Sequence, residues 1–256
     1  MKIKTMKRLI KHTLPVILIF VGLALTSCNS KAQGILLRYN TKVGETVTLN
    51  SAITQSTDLE GQGMSTLITM KMEMTTTDKT DSLVYTQSKL KEMTYKTNIM
   101  GQTISFDSNH MEDADPSVVA NFQGLLDRTF DIVYDIYGNI VSVPEDYPQE
   151  QGVTAVFPKE MVYVGNQWSR ETDSQINDLT AHSKGTYTVK SITAKTTELD
   201  FTGTITAESI NGDINGTMLI NNETGLPIRA TLDMPTTIST AGITVTLMQT
   251  ITLTTE

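Results

Sequence analysis

From residue 35 onward, apolar and polar residues alternate with a period of two. In the last run Ile243, Val245, Leu247, Ile251 and Leu253 share one face, while Thr244, Thr246, Thr250, Thr252 and Thr254 share the other. That is the pattern of an antiparallel strand with one buried and one wet face. The same alternation sets Leu199, Phe201 and Ile205 against Asp200, Thr202 and Thr204, and Ile68, Met70, Met72 and Met74 against Thr69, Lys71, Glu73 and Thr75. Threonine suits the wet face, because a β-branched polar side chain fits a pleated surface. Turn-forming stretches punctuate the runs at Gly61-Gln62-Gly63, Thr77-Asp78-Lys79, Tyr137-Gly138-Asn139, Asn211-Gly212-Asp213 and 221–225. They predict about a dozen strands joined by short hairpins. The fold class expected is all-β with one short helix: a strongly curved antiparallel sheet or half-barrel.

The helix is the one break in the alternation. Asp115 can cap it with Pro116 in the first turn, and Val118, Val119, Phe122, Leu125 and Leu126 recur at helical spacing. Gly124 weakens it by roughly 1 kcal/mol relative to alanine. It should therefore be short, and its apolar stripe must land on the sheet.

Ahead of the strands lies a different composition. Lys2, Lys4, Lys7, Arg8 and Lys11 precede an apolar run over residues 14–25, the layout of a secretory signal peptide. A helix crossing the roughly 30 Å hydrocarbon layer needs about 20 apolar residues, so this run is too short for a permanent span. It ends in Leu25-Thr26-Ser27-Cys28, which holds the only cysteine of the chain. This stretch resembles the bacterial lipobox, and the resemblance implies that Cys28 is diacylated on sulfur and becomes the N-terminus after cleavage. Two acyl chains suffice for a stable membrane anchor. With that thiol consumed, the body has no disulfide and no cysteine for a metal or a nucleophile.

Anchoring changes how the charge is read. Residues 28–256 carry 15 basic and 28 acidic side chains, a formal charge of −13. Such a body is unsuited to nucleic acid, which needs clustered Lys and Arg. Residues 29–34 form a polar tether of at most about 20 Å, which would keep the body close to its leaflet. Asn29-Ser30-Lys31 lacks the aspartate and the acidic run that direct lipoproteins elsewhere, so the expected address is the periplasmic side of the outer membrane. The expected division is a leader at 1–27, a lipidated tether at 28–34 and one β-rich domain at 35–256.

A faint repeat runs through that domain. Lys42-Val43-Gly44-Glu45-Thr46-Val47 resembles Tyr163-Val164-Gly165-Asn166-Gln167-Trp168, and each opens a run of alternating segments. Two meander units, 35–108 and 158–256, bridged by 109–157, would account for this. Two unrelated threonine-rich sheets would look alike in the same way.

The stretch from Phe157 to Trp168 carries a Val-x-x-Gly-x-x-Trp junction. Phe130-Asp131-Ile132-Val133-Tyr134-Asp135 precedes it and Gly185-Thr186-Tyr187-Thr188-Val189 follows. In this the chain is similar to β-rich bacterial envelope lipoproteins of unknown function. Asn222-Glu223-Thr224-Gly225-Leu226-Pro227 also resembles a turn of the periplasmic half-barrel carriers of lipoproteins and lipids. The first resemblance implies architecture and address, and supplies no catalytic residues.

Candidate chemistry is sparse. His110 and His182 are the only histidines beyond the leader, and the sequence contains no nucleophile elbow, P-loop or zinc-protease helix. His110, Glu112, Asp113 and Asp115 cluster, but acidic residues before a helix are ordinary first-turn charge. The expectation is therefore no enzyme, no cofactor and no metal site. Methionine is the more suggestive residue. Eleven of 13 lie in the body, and Met70, Met72 and Met74 share one strand face. Unbranched, polarizable methionines line adaptable apolar surfaces. With Trp168 they are the candidate ligand-binding residues, on a concave face that would take an apolar or lipid-like ligand. The same face could equally be the filled core beneath the helix. The alternative function is docking of an envelope protein on exposed strand edges.

Overall fold

The computed structural model describes residues 34–59, 62–126, 128–144, 155–176, 179–240 and 243–256; the leader and Cys28 lie outside them. Twelve strands form a single antiparallel sheet. They are β1 (Thr46–Leu59), β2 (Gln62–Lys79), β3 (Leu83–Ile99), β4 (Gln102–Asp107), β5 (Thr129–Asp135), β6 (Ile140–Ser142), β7 (Gln167–Ile176), β8 (Leu179–Ile192), β9 (Thr196–Thr206), β10 (Ile210–Asn221), β11 (Pro227–Thr240) and β12 (Ile243–Thr255). Their order across the sheet is β6-β5-β3-β2-β1-β12-β11-β10-β9-β8-β7, with β4 also paired to β3. The sheet is curved and unclosed, with β6 and β7 at its two edges.

This order is a meander cut in an unusual place. Starting from β7, the strands follow chain order to β12 and then resume at β1. The first and last strands thus pair mid-sheet, from Leu49 opposite Thr255 to Thr57 opposite Leu247. The segment expected to bridge the halves, 109–157, includes β5 and β6, which extend the first meander beside β3. The β1–β12 ladder joins the two meanders in space.

Alternation decides which face turns inward. Along β12, Ile251 is buried while Thr250 is half-buried and Thr252 and Thr254 are exposed. Threonine is not confined to the wet face, however. Thr76, Thr86, Thr97 and Thr197 are all buried. Each spends its hydroxyl on a neighbour: Thr86 donates to Ile132 O at 3.1 Å, and Thr76 donates to the Thr41 hydroxyl at 2.7 Å. A satisfied hydroxyl removes most of the cost of burial.

The helix α1 (Pro116–Phe122) forms where the capping pattern places it. The Asp115 carboxylate accepts from Ser117 N at 2.8 Å, and the α-helix stops before Gly124 in a short 3₁₀ turn. Val118, Val119, Phe122, Leu125 and Leu126 pack on Leu90, Met93 and Phe106 of β3 and β4. Phe122 lies 5.2 Å from the Phe106 ring.

Two irregular segments, 34–41 and 155–162, close one end of the curve. Ile35 and Val162 exchange backbone hydrogen bonds of 2.9 and 2.8 Å. Tyr39 N donates to Ile136 O, Asn40 N to Thr224 O and Phe157 N to Tyr137 O, each at 2.8 Å. The straps are therefore tied to the β5–β6 and β10–β11 turns. Leu37 and Tyr39 of the first strap and Ala155, Phe157 and Val162 of the second are buried. The Arg38 guanidinium donates to Pro158 O and sits 4.5 Å over the Tyr137 ring.

The two junction turns that follow the straps are built alike. Gly44 N donates to Thr76 O and Thr76 N to Glu45 O; Gly165 N donates to Val189 O and Val189 N to Asn166 O. The side chains agree as well, with Glu45 accepting from Lys42 N and Asn166 from Tyr163 N.

Candidate functional site

The methionine strand lies against the straps and the helix. Met74 is buried and accepts a hydrogen bond from the Tyr39 hydroxyl at 3.4 Å. Met70 and Met72 are half-buried and pack on the cluster that α1 covers. Trp168 sits in the other meander, on the inner side of β7. Its indole N–H donates to Val156 O at 2.6 Å, and its ring stacks 5.2 Å from Tyr187. Tyr187 in turn meets Phe201 at 4.8 Å. Strand β7, one strap and two neighbouring strands thus share a continuous aromatic wall.

The far end of that wall borders a cleft of about 140 Å³ on the concave face of β7–β12. Its floor is Ile214, Met218, Leu232, Met234 and Ile251. An engineered apolar cavity of about that size holds benzene, so the space admits part of an apolar chain. Pairing explains how the lining converges. Arg170 is opposite Gly185 and Thr172 opposite Ser183 on β7 and β8, while Gly185 is opposite Gly203 on β9. These residues therefore share the inner face.

Glycine makes the room. A Cβ at Gly185 would lie 2.1 Å from Cζ of Phe201, and one at Gly216 would lie 2.4 Å from Cδ2 of Leu232. A side chain at Gly185 would push the ring into the cleft, whereas one at Gly216 would first meet Thr231 O at 2.2 Å and strain the β10–β11 ladder. Glycine within a strand marks this kind of close approach.

The rim carries one inward cation, Arg170, and no carboxylate lines the cleft among the described residues. Lys184 borders it, but its side chain points to the outer face with that of His182. Lys184 is committed to Glu171, 2.8 Å away, and the hydrogen bond and charge of that carboxylate raise its pKa. Arg170 is half-buried, beside the hydroxyls of Thr172 and Ser183, and forms no ion pair or hydrogen bond among the described residues.

The acidic cluster before the helix is occupied locally. His110 approaches Asp107 at 3.3 Å, and Asp115 caps α1. Among the described residues no group of three or more His, Cys, Asp or Glu is arranged to hold a metal. His182 is exposed and pairs with Asp173 at 2.6 Å on the outer face.

Residues 149–227 match a family of unknown function, DUF6263. That segment spans β7 to β10 and holds Arg170, Thr172, Ser183 and Gly185. Among curated proteins nothing matches the chain. Among solved structures, one described for lipid–protein interactions in lipovitellin is similar over 84% of this chain, with a TM-score of 0.55 at 10% identity. This chain spans 25% of that one. At such identity the likeness is one of fold.

Proposed function

We propose that this chain is a non-catalytic binding module for an apolar, lipid-like ligand, held in the cell envelope by acylated Cys28. The observation that carries the reading is the cleft: an apolar floor on a concave sheet, kept open by inward glycines and rimmed by polar side chains. Small-molecule sites have this make-up, mostly apolar with a few placed polar groups. A sheet of similar shape occurs in a protein described for its lipid–protein interactions.

The surface near the tether suits the anchored reading. Leu36, Met161 and Val164 are exposed around the strap that begins at Gly34, and an apolar face there favours contact with lipid. Orientation toward the periplasm from the outer membrane follows from the sorting residues after Cys28. A second reading, docking of an envelope protein by strand addition, rests on the open edges at β6 and β7. Crosslinking in intact cells that recovers a partner through β7 would favour it.

Trp168 is the only tryptophan and stacks on the cleft's own Tyr187, so its emission reports occupancy. Native mass spectrometry of the purified full chain should find co-purified lipid, and added lipid should change Trp168 emission saturably. A chain that carries none and takes up none overturns the proposal.

A further inference from the structure

We infer that the ligand of this cleft is an anionic amphiphile, a single apolar chain ending in a carboxylate or phosphate whose head rests on Arg170. The inference builds on the reading of the cleft as a lipid site. It comes from a mismatch between the body and the site. The body carries 28 acidic and 15 basic residues beyond the leader, yet the one charged side chain that points into the cleft among the described residues is a cation, Arg170. In a chain so rich in carboxylates, a half-buried guanidinium beside an apolar floor would ordinarily be paired. Lys184, on the outer face, is paired to Glu171, and Arg170 has no partner among the described residues.

The neighbours of Arg170 complete an anion site. Thr172 and Ser183 face each other across the β7–β8 ladder two register steps away, on the same face. They add two hydroxyl donors to a planar fork of guanidinium donors, the geometry that carboxylates and phosphates accept in pairs. Gly185 stands directly opposite Arg170, and the Phe201 ring of β9 lies over it. That ring and the Ile214 and Met218 side chains lead away from the charge into apolar surface. A chain lying there with its head at the rim would bury its tail and leave no charge unpaired. A cationic or neutral head would forfeit the pairing.

The test uses the full chain and four ligands with the same decyl tail: decanoate, decyl phosphate, decanol and decyltrimethylammonium, titrated by Trp168 emission and by calorimetry. The two anions should bind about tenfold tighter than decanol, the worth of one partly screened charge-assisted pair, and the cation should bind weakest. Decanoate against decyl phosphate tells which head is preferred, and tighter binding of either than of decanol supports the inference. Arg170→Gln should bring the anion-to-alcohol ratio to about one, with an unchanged circular dichroism spectrum and urea midpoint certifying the fold. Lys184→Gln should preserve the ratio. Equal binding of anions and decanol by the unaltered chain, or a preference that survives Arg170→Gln, overturns the anionic assignment and leaves the lipid cleft standing. No binding of any of the four overturns the cleft reading itself.

Discussion

Replacing Gly225 by alanine tests whether the N-terminal strap crosses the sheet end where it is placed. Gly225 has φ +72, and a Cβ on it would fall 2.1 Å from Arg38 O and 2.7 Å from Arg38 C. Two costs follow. A left-handed conformation costs an alanine about 1–2 kcal/mol. The backbone overlap cannot be relieved by turning a side chain, so the strap must lift, loosening the hydrogen bond from Asn40 N to Thr224 O, worth about 1 kcal/mol. Disturbed packing of Leu37 and Tyr39, both buried, adds to this. The expected loss is about 3 kcal/mol or more. Gly44 is the internal control: its φ is +83, but a Cβ there would meet nothing within 4 Å, so Gly44→Ala should cost only the conformational part, about 1–2 kcal/mol. Urea unfolding of both variants at unchanged slope measures the difference. Equal losses would mean that the strap does not press on the β10–β11 turn, and the closed end of the curve would have to be redrawn.

Two further outcomes are expected. Cys28→Ala should move a folded chain from the membrane to the soluble fraction, and a variant still sedimenting with membranes would refute the anchor. The Asp115 carboxyl is held below its ordinary value of 3.8 by hydrogen bonds from the Ser117 hydroxyl and amide. A depressed folded value means the cap contributes fully above the ordinary value and is lost as pH falls through the lowered one. The gap in urea midpoint between the unaltered chain and Asp115→Ala should therefore be constant near neutrality and shrink below about pH 4; a gap that persists there would show that the cap does not depend on ionisation.

Much of the architecture was legible because alternation leaves little choice. Once Ile251 must be buried, a one-residue slip would expose every apolar neighbour on its strand. The helix was equally plain, since its cap, its proline and its stripe agree. The straps were not legible. Residues 34–41 and 155–162 lack regular alternation and hydrogen-bond to turns far away in sequence, so no local period reports them. The similarity at an offset of 121 residues was visible in Gly44 and Gly165, but its meaning needed the paired hydrogen bonds to Thr76 and Val189. Nor does a strand pattern reveal that β12 returns to pair with β1, because pairing across the whole length of the chain leaves no local mark.

The cleft rests on a residue type that draws little attention in a sequence. Methionines at 70, 72 and 74 are conspicuous because side chains that fill space are easy to see in a sequence, and here they pack under the straps and the helix. A cleft on a sheet depends instead on side chains that are missing. Gly185, Gly203 and Gly216 all fall on inward positions of neighbouring strands by the same parity that places Tyr187, Phe201 and Met218 inward. Read with that parity, Arg170 and Thr172 also point inward from β7, as Trp168 does. An arginine on the apolar side of an alternating strand, opposite a glycine, breaks the pattern that makes the rest of the chain readable. Such a break costs desolvation of a charge unless something compensates, and within the described chain no carboxylate at the cleft does. The compensating partner is then best sought in the ligand, which is why the charge of the head, rather than the length of the tail, is the property on which binding should turn.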